Sequence, residues 1–102
     1  MAYIVTDLVK QQARKMFAPD EADLIISELE TTQIPLVDNG PGLERVHLAI
    51  LYLADGNLRE FDQILNRGRM DFRDTLVAAG LAHADWPTVL RSRGIDCRDP
   101  YV

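Results

Sequence analysis

His47 follows Glu44 by three residues, a spacing that sets an imidazole and a carboxylate on one face of a helix. Such a pair supplies acid–base chemistry near neutral pH, or part of a metal's ligand set. Zinc takes three or four ligands, and the chain has neither an HExxH stretch nor a Cys/His cluster. The competing role for His47 is structural, with the ring hydrogen-bonded to a backbone group or an acid, and it is the one we expect. His83, in Ala82-His83-Ala84, reads as a solvated loop residue. Cys97 is the single cysteine, and Arg98 beside it would lower its pKa. It stands in a stretch without periodicity, which argues against a catalytic role. Asp38-Asn39-Gly40 matches only half of a calcium loop, without the spaced acids and terminal Glu that complete one. No serine sits in a GxSxG context, and no glycine-rich loop precedes Lys or Ser/Thr as a phosphate cradle requires. No cofactor and no bound metal are expected.

The arginines are the other chemically able group. Arg67, Arg69 and Arg73 surround Gly68, while Arg91 and Arg93 lie near the end of the last periodic segment. Guanidinium groups bind phosphate or carboxylate in two-pronged fashion. Two helices around a glycine, as over residues 71–95, also echo the helix–turn–helix of DNA-binding proteins. Against that stand Asp71, Asp74 and Asp85 at the helix starts, where a recognition helix meets phosphates. The net charge of −5 lacks the basic footprint of a nucleic-acid binder. Solvated arginines, or arginines paired with Asp62, Asp71 and Asp74, are the simpler reading.

The elements that must hold these groups read as helices. Gly42 to Gly56 contains nine residues, Val46 to Ala54, of which only His47 is clearly polar. Leu43, Val46, Ile50 and Leu53 form one stripe, and Leu48, Leu51 and Tyr52 occupy the rest of the circumference. A helix apolar all round, here over residues 43–55, belongs at the centre of a bundle or in a tight subunit contact. Ahead of it, residues 3–17 carry an apolar face over Val5, Leu8, Val9, Ala13, Met16 and Phe17, although Tyr3-Ile4-Val5 is β-prone and an extended arm is the alternative there. Pro19 opens a second helix over 19–30, with Ala22, Ile25, Ile26 and Leu29 inward and acids outward.

Residues 31–42 form the long connection, barred from helix by Pro35 and Pro41. Ile34, Leu36 and Val37 make it unusually apolar. They either fold back as a lid on the core or stay exposed as a docking patch. Beyond the central helix, Gly56 suits a left-handed cap, Asn57 with Glu60 suits a capping box, and Gly68 is expected to end the helix they start. Two copies of one pattern follow, Asp71-Phe72 to Gly80-Leu81 and Asp85-Trp86 to Gly94-Ile95, offset by 14 residues. Each predicts a short helix with an Asp cap at its start, a left-handed Gly at its end, and a clasp of Leu76 with Leu81 or Leu90 with Ile95.

A chain of 102 residues with 47% apolar content makes one domain (1–102) with a self-standing core. The expected fold class is all-α: a compact bundle of about six helices around the central one, ending in two short tandem helices. Nothing approaches the ~18 uncharged apolar residues of a membrane span, and the first ten residues lack a signal-peptide layout. One cysteine agrees with the cytoplasm. Over Leu43–Ile95 the chain resembles a family of small bacterial all-helical proteins. The resemblance rests on Glu44-Arg45-Val46-His47-Leu48-Ala49, Ala54-Asp55-Gly56-Asn57-Leu58, Asp71-Phe72-Arg73-Asp74 and Ala78-Ala79-Gly80. It implies a bacterial, cytosolic, helical protein and carries no activity.

The expected role is therefore a non-catalytic protein–protein interaction or regulatory domain, with homodimerisation one form of it. The candidate contact residues are Ile34, Leu36, Val37, Arg67, Arg69, Arg73, Arg91 and Arg93. A nucleic-acid-associated regulator using 71–95, and a small enzyme or ligand pocket around Glu44 and His47, are the alternatives.

Overall fold

Side-chain caps or first-turn prolines mark where the helices begin. In the computed structural model, which describes residues 3–35, 37, 40–83 and 85–95, Thr6 Oγ1 accepts from the Val9 amide at 3.4 Å and opens α1 (Asp7–Met16). The helix is shorter than the apolar periodicity of 3–17 suggests. Residues 3–6 are extended instead, and the Tyr3 amide donates to the Glu30 carbonyl at 2.8 Å. The β-branched run Ile4-Val5-Thr6 disfavours helix and supplies the cap at its end. Pro19 stands at the start of α2 (Pro19–Thr31), whose Ala22, Ile25, Ile26 and Leu29 are buried.

The central helix, α3 (Pro41–Ala54), buries every residue from Val46 to Leu51. Helices α1, α4 (Leu58–Met70) and α5 (Phe72–Ala79) pack on it, and α2 lies against α1. Helix α6 (Trp86–Ser92) completes six helices, with no strand among the described residues. The radius of gyration, 12.3 Å, matches the ~13 Å of a compact 100-residue chain. None of these helices is long and apolar enough to cross a membrane.

The turns depart from expectation in three places. Asp55 (φ 48°) is left-handed as well as Gly56 (φ 80°), so the reversal after α3 takes two residues. A Cβ on Gly56 would stand 3.0 Å from the Met16 carbonyl oxygen, which seats this turn against the end of α1. Gly68 does not end α4. It is buried inside the helix, facing Ile50 and Thr75 at a distance that leaves room for a Cβ. The stop falls at Asp71, whose Oδ1 accepts from the Arg73 amide at 3.0 Å, so one residue ends α4 and caps α5.

The duplicated segments are alike at their ends and unlike at their starts. Leu81 N donates to Leu76 O at 2.8 Å and Ile95 N to Leu90 O at 3.0 Å, across the left-handed Gly80 and Gly94. All four clasp residues are buried. Asp85, by contrast, makes no side-chain cap bond, and Pro87 in the first turn of α6 removes one of the amides a cap would serve.

Gly68 and Gly56 respond oppositely to a methyl group. A Cβ at Gly68 meets Thr75 Oγ1 at 3.5 Å and Ile50 Cδ1 at 3.6 Å, ordinary contacts on a helical backbone. Gly68→Ala is therefore expected to stabilise the fold by about 0.5–1 kcal/mol. Gly56→Ala combines a left-handed backbone with a carbonyl in the way and is expected to cost more than ~1 kcal/mol. Urea unfolding of both variants checks this, and a less stable Gly68→Ala would show that the close approach cannot accommodate a methyl.

Candidate functional site

His47 is fully enclosed, and neither its Nδ1 nor its Nε2 has a hydrogen-bond partner. The expected bond to a backbone group or an acid is not formed, and Glu44 is half-buried one turn away. Burial lowers the imidazole pKa from 6.5 to about 4, so the ring is neutral at pH 7. A neutral, sealed ring meets no solute. No group of three or more His, Cys, Asp or Glu able to hold a metal ion occurs among the described residues.

Of the apolar loop, Ile34 is buried in the core and Val37 is half-buried against it, as a lid requires. Leu36 lies outside the described residues, as do Asp38, Asn39 and Cys97. The loop's exposed Gln33 and Pro35 instead form one wall of a cleft at the end of α4.

The five arginines are not one group. Arg69 and Arg73 come together at the corner where α4 meets α5, lining a cavity of about 230 Å³ with Pro35, Met70, Asp71 and Phe72. It adjoins a cleft of about 440 Å³ that shares Pro35, Arg69 and Met70. Arg67 turns the other way, into a cavity of about 190 Å³ beside Leu53, Ile64 and Thr75. Arg91 donates to Thr88 Oγ1 at 3.4 Å. Arg93 stacks on Tyr52 with its guanidinium carbon 3.9 Å from the ring centre, a contact worth about 0.5–1 kcal/mol at an exposed site. One of its nitrogens lies 3.1 Å from where a Gly80 Cβ would be, so Arg93 ties the end of α6 to α3 and α5. It forms part of the wall of a cleft of about 500 Å³ between α1, α3 and Ile95.

Two residues that the sequence did not single out change the picture. Met70 is 89% exposed between Arg69 and Asp71, and Leu24 is 50% exposed on the outer face of α2. Both fall off their helix's buried stripe, which is the one signal that marks them in the sequence. Leu24 is surrounded at helical spacing by Asp20, Glu21 and Glu28. Helix α2 holds five acids and no base. That equals the chain's entire net charge of −5, since the remaining 11 acids and 11 bases cancel.

No protein-family model, curated protein sequence or solved structure matches the chain.

The enclosed histidine sets a pH dependence. Above pH 6.5 the ring is neutral in both states. Between 6.5 and about 4 the unfolded chain takes a proton that the folded one refuses, so stability falls with pH across that window. The loss attributable to His47 is about 3 kcal/mol by pH 4. His47→Leu removes both the proton site and the unpaired nitrogens, and is expected to be at least as stable as the parent at pH 7. Its advantage should widen by that ~3 kcal/mol toward pH 4. Parallel pH-stability curves for the two proteins would refute the assignment.

Proposed function

We propose that this chain is a non-catalytic protein-interaction domain that docks a protein partner on the α4–α5 corner. The observation that carries this is Met70, 89% exposed on the wall of two adjoining clefts and flanked by Arg69 and Arg73. Covering a methionine side chain is worth about 1.5–3 kcal/mol, the largest gain open to any exposed residue at this corner. Methionine and arginine are the types enriched at protein contacts, the first by adaptable packing and the second by its fork of donors. Pro35 and the Arg73–Phe72 contact (5.9 Å) stiffen the surroundings, which reduces the ordering entropy a partner must overcome. A single exposed apolar residue is ordinary on a protein surface. One seated beside a concave, charged wall is better suited to receive another chain.

A nucleic-acid partner is the weaker reading. The arginines it would use are divided among separate sites, and Arg93 already stacks on Tyr52. We place the domain in the cytoplasm as part of the same reading, in keeping with a single cysteine.

A photo-crosslinking amino acid at position 70 tests the proposal in the native cell. Protein adducts are expected there, and they should disappear when Arg69 and Arg73 are both changed to Glu. The same probe at Arg59, exposed at the opposite end of α4, is the control. Equal labelling at the two positions would sink the proposal.

A further inference from the structure

The corner's charge and shape point to its partner. We propose that the Met70 corner receives the outer face of α2 from a second copy of this chain, joining molecules head to tail. This rests on the reading of the corner as a protein-docking surface and names its occupant.

The two surfaces are complementary. The corner presents two arginines, Arg69 and Arg73, with one aspartate, Asp71, whose Oδ1 is already engaged as the cap of α5. Helix α2 holds five acids and no base. Each surface centres on one exposed apolar side chain, Met70 in the first and Leu24 in the second. Seating Leu24 beside Met70 sets Asp20 and Glu28, one turn to either side of Leu24, opposite Arg69 and Arg73. Within one molecule both residues face solvent, so neither surface satisfies the other.

Asp20 and Glu21 suit the start of α2, but the acids at its other end do not suit the dipole. Glu28 and Glu30 stand in its last turns, where the helix dipole favours cations, and no base lies at a neighbouring turn of the helix. An arginine-bearing surface brought against it removes that conflict.

Symmetry follows from the charges. A two-fold dimer through α2 would set acids against acids, and one through the corner would set arginines against arginines. The favourable pairing joins unlike surfaces, so each molecule keeps one free surface of each kind. Association then continues into a ring or an open chain. This differs from a homodimer built on the central helix, because α3 is enclosed by its own neighbours from Val46 to Leu51.

Sedimentation of the purified chain at about 0.5 mM and low ionic strength, where screening is least, is the direct test. Species larger than a dimer are expected, with association at least about tenfold weaker at high salt. Two double variants, Leu24→Lys/Glu28→Lys and Arg69→Glu/Met70→Glu, each destroy one surface and keep the other. All four positions are exposed, and circular dichroism confirms the fold. Each variant alone is expected to be monomeric, and an equal mixture to form a dimer that grows no further. Three results overturn the proposal: a monomeric parent, a variant that still associates alone, or a mixture that stays monomeric. A monomeric parent whose position-70 probe captures a different protein overturns self-association and leaves the docking surface standing. A monomeric parent with no adduct at position 70 ends both.

Discussion

Six consecutive residues of α3, Val46 to Leu51, are withdrawn from water, and a helix can be enclosed on every side only if other helices surround it. Helices α1, α4 and α5 take those places. Burying Leu48, Ile50 and Leu51 yields about 1.5–3 kcal/mol each, which exceeds the ~1–3 kcal/mol cost of two unpaired imidazole nitrogens on the same turns. His47 is held inside by its neighbours. Its lowered pKa is a result of that enclosure and carries no sign of catalysis.

Much of this was legible because the determinants are local. The buried stripe of α2, the Asn57 cap of α4, the left-handed Gly80 and Gly94, and both hydrophobic clasps follow from residue type at fixed spacing. The failures share one cause. Gly68 carries the chemistry of a helix stop, yet the approach of Ile50 and Thr75 makes it a packing position inside α4. Asp85 carries the chemistry of a cap, yet its backbone (φ −83°, ψ 9°) is not extended as a cap requires. Tertiary contact overrode local preference in the first case and turn geometry in the second.

The candidate site was less legible, because adjacency along the chain is a poor guide to adjacency on a surface. Arg67 and Arg69 are two residues apart, and on a helix that separation sends them to different faces. Arg93 was grouped with Arg91 and proves to be stacked on Tyr52, forty-one positions earlier. Ile34 is buried, while Pro35 beside it lines the cleft at the end of α4. Met70 and Leu24 were visible only as apolar residues left over once each stripe had been assigned. Residues of that kind are usually unremarked surface, and what separates these two is the charge around them.

That charge distribution follows the place of each helix around α3. The enclosing helices α1 and α4 keep one face outward and carry mixed charges there that lean basic. Helix α2 is bound chiefly to α1 and does not help to enclose α3 closely, so its outer face is free to carry a composition that serves no packing role. Its five acids and no base give it a charge equal to the chain's net −5, the other acids and bases cancelling in number. Random scatter of surplus acids over six helices would leave several slightly negative. Concentration on one peripheral helix, with a leucine at its centre, makes a directional surface, in which Asp20 and Glu21 suit the helix dipole and Glu28 and Glu30 oppose it. Glu28 and Glu30 are therefore the acids of α2 that the proposed head-to-tail contact would relieve.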